Sequence, residues 1–278
     1  MTICISVRVS EGLVLAADSM ATVEGEYSDG NNVQKGVLKT FPNARKLSQL
    51  KDYPIGILSW GSYTIGERTV ESLIREFEYS LPSLIEERDK RRLRRLQGSE
   101  ELVEFSYSVQ DLSKRLNKHI KEYINRKDGE IRKTVFGLLV GGYSSKQFFP
   151  EQWVLTFPGG NIKPARENHS PCGANWFGVT DSIVRFHWGR DDRAGQMIAD
   201  KFKVDKDEVM KTLNELQYPT LFDAMPLQEA IDYAYFLVNI AIGRARYVIG
   251  APTVGGEIDI IAITPNEFKW VKRKEWSV

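Results

Sequence analysis

Cysteine and histidine are scarce in this chain of 278 residues, which has only Cys4 and Cys172, and only His119, His169 and His187. Two cysteines cannot build a disulfide framework, and they fit a reducing compartment. The three histidines have no metal-ligand spacing, so each reads as a surface or structural residue and no metal or cofactor is expected. Long apolar runs are missing as well. No stretch approaches the roughly 20 residues of a membrane-spanning helix. The start has neither a basic segment nor a long apolar core, so a signal peptide is not expected and cytoplasm is the default location. Charge of one sign is also lacking. Lys+Arg of 38 against Asp+Glu of 37 leaves +1. A general attraction to nucleic acid or an anionic membrane is thereby excluded. What remains is ordinary for a globular protein: 42% hydrophobic and 27% charged residues, ample for a sizeable core.

The most informative stretch is the first twenty-two residues. Ile3, Ile5, Val7 and Val9 alternate with smaller or polar residues, which predicts a half-buried strand. Glu11-Gly12 marks a turn, and Leu13 to Ala17 reads as the returning strand. A hairpin of this kind brings Thr2, at its start, beside Asp18, at its end. Thr2 follows Met1, and a Met before a small residue is commonly trimmed. Threonine is a poor nucleophile alone, but the α-amine of an N-terminal threonine can take its proton. That amine titrates at roughly 7.7–8.0 when unperturbed, close to working pH.

The pattern Thr2-Ile3, Gly12, Val14, Ala16-Ala17-Asp18-Ser19 and Ala21-Thr22 resembles the amino-terminal signature of proteasome β subunits and their bacterial relatives. These are N-terminal-nucleophile hydrolases. The ending Val254-Gly255-Gly256, followed by Ile258-Asp259, is similar to the bacterial ancestral β-subunit (Anbu) branch. By position, the resemblance makes Lys46 the lysine beside the nucleophile. It makes Gly61 the glycine whose N–H forms the oxyanion hole, with Ser62 following. Lys35 and Lys39 are rivals for the lysine, and Lys46 is favoured because it stands at a strand start before Leu47 and Leu50. Ser170 to Gly178 resembles a further family segment in which a serine orients the amine; Cys172 would stand there, or Ser170 in another register. Two polar groups usual near the end of the family fold are replaced here by Ala251 and Val254.

The rest of the chain follows in order. Glu24 to Lys39 reads as a loop and a candidate wall of the cleft. Strands are expected on either side of a turn at Lys51-Asp52. Val70, Leu73, Ile74, Phe77 and Leu81 share a helical face, and Leu102, Phe105, Val109, Leu112, Leu116, Ile120 and Ile124 share another. The basic run Lys90 to Arg95 lacks interleaved aromatics and reads as a solvated helix end. Lys133–Tyr143 and Gln152–Phe157 read as strands, with Asn161–Lys163 as a further one. Thr180 to Gly250 is mainly helical, with Pro226 at a first helical position and a stripe from Leu227 to Ala241. Trp188, Tyr218 and Phe222 read as core or interface. A strand ends the fold near Ile263, and the tail from Phe268 is a candidate subunit contact.

This order predicts an α+β protein. The resemblance implies a four-layer αββα sandwich in one domain, 1–278, with enlarged helical layers at about 66–126 and 180–248. It implies a threonine peptidase or amidase: Thr2 as nucleophile, Asp18 and Lys46 tuning it, Gly61 for the oxyanion, and Cys172 and Ser62 in support. Substrates would be peptides or proteins, handled inside a homo-oligomeric assembly. An ATP-dependent unfoldase is a partner that such assemblies can take, though no residue here names one. The alternative is a proteasome-like structural or binding subunit with little catalysis, which the changes at Ala251, Val254 and Cys172 favour.

Overall fold

The computed structural model describes residues 2–29, 32–84, 86, 106–166 and 171–275. Fourteen strands are described: β1 Ile3–Val9, β2 Gly12–Ala17, β3 Ala21–Asp29, β4 Asn32–Phe41, β5 Leu47–Gln49, β6 Ile55–Gly61, β7 Thr64–Ile65, β8 Arg68–Thr69, β9 Phe136–Gly142, β10 Glu151–Phe157, β11 Asn161–Pro164, β12 Gly173–Gly178, β13 Asp259–Ile263 and β14 Phe268–Lys272. The described helices are α1 Val70–Tyr79, α2 Val109–Asn125, α3 Asp181–Trp188, α4 Asp192–Phe202, α5 Lys206–Leu213 and α6 Leu227–Tyr247.

Two five-stranded antiparallel sheets dominate this α+β architecture. One has the order β12-β1-β2-β13-β14 and the other β11-β10-β9-β6-β5. The side-chain period of two explains how they stack. Ile3, Ile5, Val7, Val9, Val14 and Ala16 pack with Ala230, Ala234, Leu237 and Val238 of α6. The alternate positions Cys4, Leu13, Leu15 and Ala17 meet Leu47, Leu58, Leu139 and Val154 of the other sheet. That second sheet turns Ile55, Ile57, Leu138 and Val140 toward Leu73, Ile74 and Phe77 of α1 and Leu112, Leu116 and Ile120 of α2. Strand β1 is therefore covered on both faces, not half-buried. Its polar-looking alternate positions, Cys4 and Ser6, face the neighbouring sheet with no exposed surface.

Helix starts follow local chemistry. Ser108 caps α2 by accepting from Asp111 N at 3.0 Å, and Thr69 caps α1 by accepting from Ser72 N at 3.1 Å. Pro226 stands one residue earlier than expected, at the cap of α6. The expected loop at 24–39 is a second hairpin, β3 with β4, paired from Ala21–Phe41 to Asp29–Asn32. It was unreadable because an arm of two strands needs no apolar alternation: Val23, Leu38 and Phe41 are all exposed. The tail begins as an edge strand, β14, on β13. The turn at Lys51-Asp52 is present, with Lys51 at φ 49. Leu102, Phe105, His169, Ser170 and the basic run Lys90 to Arg95 lie outside the described residues.

Among the described residues, no helix is long and apolar enough to cross a membrane. Within the same residues, no three or more His, Cys, Asp or Glu gather as metal ligands would.

Candidate active site

The β1–β2 hairpin brings Asp18 to the start of β1. Asp18 is 1% exposed and accepts four hydrogen bonds: from Ile3 N at 3.0 Å and Lys46 Nζ at 2.7 Å on Oδ1, and from Met20 N at 3.2 Å and Gly255 N at 3.0 Å on Oδ2. The Lys46 side chain is 3% exposed. A buried carboxylate is tolerable when its lone pairs are filled and its charge is matched, and both conditions hold here. Asp18 thereby ties together the residue after Thr2, the turn after β2 and the segment before β13. Ser19 reinforces the knot: its N–H donates to Gly255 O at 3.1 Å and its hydroxyl to Pro42 O at 2.8 Å.

Lys46 is held in turn. Its carbonyl accepts from Ser59 N of β6 at 2.9 Å. Of the two rival lysines, Lys39 is exposed on β4, paired with Val23. Lys35 is on the same strand, and its side chain lies outside the description.

Thr2, Ala21, Thr22, Lys46, Ser59, Trp60, Gly61, Ser62 and Tyr63 line one small depression of about 10 Å³. That is close to the least space that holds a single water. Gly61 has φ +86, and a Cβ there would lie 2.8 Å from both Phe136 Cα and Val135 O. Glycine is required at this bend whatever else it does. Ser62 has a local bond, its hydroxyl donating to Thr64 O at 2.8 Å.

Cys172 is a correction. It does not reach Thr2. Strand β12 runs antiparallel to β1, with Gly173 opposite Arg8 and Gly178 opposite Ile3. Five steps of strand, about 17 Å, separate the two ends. Cys172 instead lies near Arg8, Arg166 and Asp223. The segment that does stand beside Thr2 is Gly178-Val179. Val179 N donates to Thr2 O at 2.8 Å, and a Cβ on Gly178 would come within 1.9 Å of that oxygen. No hydroxyl stands at either position. The resemblance pointed to Cys172, at the opposite end of this stretch from Gly178-Val179.

The contacts of three further residues escaped the sequence reading. Cys4 donates its thiol hydrogen to Ser59 O at 3.3 Å, linking the two sheets beside Lys46. Burial pushes that thiol far up, with Lys46 opposing and Asp18 adding to the shift. Gly255 presents its N–H to Asp18, while Val254 beside it is buried in the apolar core under α6. Tyr63 lines the depression, and its carbonyl accepts from Val70 N, at the start of α1, at 3.0 Å. Of the other aromatics, Phe222 packs in the α6 core, Trp188 meets Trp176 edge-on, and Tyr218 is exposed.

No protein-family model matches the chain, and no curated protein matches it in sequence. Solved structures do match in fold. Anbu (ancestral beta-subunit) from Yersinia bercovieri aligns over 97% of this chain and 87% of that one, at 15% identity and TM-score 0.49. A Gly-1 mutant of Anbu from Hyphomicrobium sp. strain MC1 aligns over 99% and 86%, at 16% identity and TM-score 0.55. A second Anbu structure from that strain aligns over 98% and 88%, at 12% identity and TM-score 0.48. At such identities the likeness concerns the fold, and the match at 0.55 carries it. The structural neighbours of this chain are Anbu, ancestral beta-subunit, proteins.

Proposed function

We propose that this protein is an N-terminal threonine hydrolase acting on peptide or amide bonds. One observation carries the reading: Thr2 and Lys46 line the same depression, and the Lys46 ammonium is bonded to Asp18, which also accepts from Ile3 N. A fixed cation at that place favours the neutral form of a neighbouring free amine by like-charge repulsion. It also stabilises negative charge developing on the threonine oxygen.

The chemistry begins with release of Met1, which frees the α-amine of Thr2. Oγ attacks the substrate carbonyl carbon and its proton passes to that amine, directly or through a water. The carbonyl π pair moves onto oxygen, where the Gly61 N–H is placed in the role of donor. Collapse breaks the C–N bond, and the leaving amine takes the proton from the α-ammonium. Water then adds to the ester, and the same amine again accepts and returns a proton. The acid product leaves and Thr2 Oγ–H is restored. Asp18 acts on Lys46 and is a positioning residue.

The three apolar cores support the finer reading of the fold, a four-layer αββα sandwich in a single domain. The Anbu likeness supports an oligomeric assembly in which such sites work. A second reading, a proteasome-like structural or binding subunit, is favoured by Val254, which is buried among apolar residues where the resemblance implies a polar group.

The test is intact mass of purified protein before and after treatment with methyl vinyl sulfone. The expected result is loss of Met1 and one adduct, absent in Thr2→Ala, which keeps the amine and lacks the hydroxyl. Retained Met1, or an adduct equal in Thr2→Ala, overturns the reading. Loss of Met1 without any adduct favours the structural subunit.

A further inference from the structure

A cleft of about 630 Å³ opens where both large sheets end, and the edge strands β12 and β11 both contribute to its wall. Small-molecule sites span roughly 300–1,000 Å³. One part of this wall is aromatic. Trp176 of β12 meets His187 edge-on at 5.1 Å and Trp188 edge-on at 5.6 Å, and His187 lies 6.4 Å from Phe222. All four rings line the cleft. Burial pushes His187 down, so its ring is neutral at neutral pH, and its Nδ1 lies 3.0 Å from the Tyr233 hydroxyl. Arg190 covers the Trp188 ring at 5.2 Å.

The other part is cationic. Lys163 of β11 and Arg166, just beyond that strand, line it. Arg166 is set in place: its Nη1 donates to Ala174 O at 3.2 Å, and a Cβ on Gly173 would come within 2.2 Å of the same atom. Its buried Nε has no hydrogen-bond partner. Neither Lys163 nor Arg166 has an ion pair among the described residues. One lining carboxylate is described, Asp223, and it accepts from the Cys172 thiol. Arg8 stands close to that thiol as a third cation. The neighbouring carboxylates are turned elsewhere: Glu151 to Ser144 and Trp153, and Glu11 to Leu227 N. With Asp223 counted, this end of the cleft is net positive.

The two parts together select an occupant. A flat ring gains edge and face contacts with the aromatic wall. An aliphatic chain would desolvate Lys163 and Arg166 without giving them a partner. An ammonium would meet two cations and find Asp223 engaged. A carboxylate or phosphate meets a guanidinium fork and an ammonium, both of which donate. We infer that this cleft binds a small molecule that joins a flat ring system to a carboxylate or phosphate, the ring against Trp176, Trp188 and Phe222 and the anion at Lys163 and Arg166. The inference goes beyond the threonine-hydrolase reading and does not depend on it. The cleft still borders that site: Phe177, in its wall, stacks at 4.2 Å on Trp60, which lines the Thr2 depression.

The test measures affinity by isothermal titration calorimetry for four probes. They are 1-naphthoate, 1-naphthyl phosphate, 1-naphthamide (the ring without the charge) and octanoate (the charge without the ring). One of the two aromatic acids is expected to bind about tenfold or more tighter than 1-naphthamide and octanoate, the value of one charge-assisted contact. The tighter acid identifies the anion. Lys163→Ala, at an exposed strand position, is expected to weaken that acid about tenfold and leave 1-naphthamide unchanged. Arg166→Lys should retain part of the affinity that Arg166→Ala loses. Trp188→Leu should weaken the acid and 1-naphthamide and spare octanoate. Labelling by a disulfide reagent places the site: saturating acid should slow Cys172 and leave Cys4 unchanged. Thr2→Ala should bind as the native protein does. Equal affinity for 1-naphthamide or octanoate, no protection of Cys172, or loss of binding in Thr2→Ala overturns the inference. So does the failure of both aromatic acids to bind at millimolar concentration.

Discussion

The two ends of β1 carry similar materials and use them differently. At the Thr2 end a cation, Lys46, is buried against a carboxylate whose remaining acceptor sites are filled by three backbone N–H groups. At the other end a cation, Arg8, donates to two backbone carbonyls, Pro171 O and Pro150 O, with Arg166 close by. Burial depresses the Arg8 guanidinium, Cys172 offsets this, and Arg166 adds to it. A thiol stands at each end: Cys4 beside Lys46 and Cys172 beside Arg8. The first end is a matched pair that works in one geometry. The second is a cation bracing two loops, which any good donor could do. A group that must tune an adjacent amine needs the first kind of setting.

Breaking the matched pair should have the largest effect. Lys46→Met leaves Asp18 buried without its counter-charge and is expected to cost about 3–5 kcal/mol of stability, read from the midpoint of denaturant unfolding. Asp18→Asn with Lys46→Met should lose much less than the sum of the two single changes, because neither then strands a charge. Additive losses would mean that the two side chains do not act as a pair.

Gly61→Ala probes the same end through the backbone. The added Cβ meets two backbone atoms of the β9 approach at 2.8 Å, in a conformation that L-residues rarely adopt. A loss of about 1–3 kcal/mol is expected. A neutral result would show that the bend can relax, and would remove one reason for glycine there.

At the far end, Arg8→Ala is expected to cost only about 1–2 kcal/mol, the worth of bonds made by a partly exposed cation to neutral carbonyls. A loss matching that of Lys46→Met would dissolve the contrast between the two ends.

What the sequence disclosed follows the same line. The β1–β2 hairpin and the meeting of Asp18 with Ile3 at the start of β1 were legible because they are local: alternation, a Gly12 turn and a short return. Lys46 was legible because it opens the next strand, ahead of Leu47. The faces of α1 and α2 were written in residues three and four apart. Cys172 was misplaced for a non-local reason. Alternation at Ala174 and Trp176 is compatible with a strand, but nothing in it states that β12 runs antiparallel to β1, which sends Cys172 to the Arg8 end. The β3–β4 arm was invisible because its pairing leaves no apolar stripe. The Gly255 N–H on Asp18 was hidden because a backbone donor has no residue signature.

The smallest expected effect is kinetic and compares the thiols. Both are raised by burial, so both should react slowly with a disulfide reagent at pH 8, since the thiolate is the nucleophile. Cys4 has no exposed surface and lies between the sheets, so it should wait for global unfolding. Cys172 borders a cleft that includes Asp223, whose bond and negative charge raise it further, against Arg8 and Arg166. Asp223→Asn removes that charge and lowers the Cys172 pKa. The thiolate fraction at a given pH then rises, and labelling of Cys172 should quicken while that of Cys4 stays fixed. Arg8→Ala acts with the opposite sign on the thiolate and should slow Cys172 where the protein remains folded. If Asp223→Asn quickens both thiols alike, the change has loosened the fold as a whole, and the two ends of β1 are not electrostatically separate.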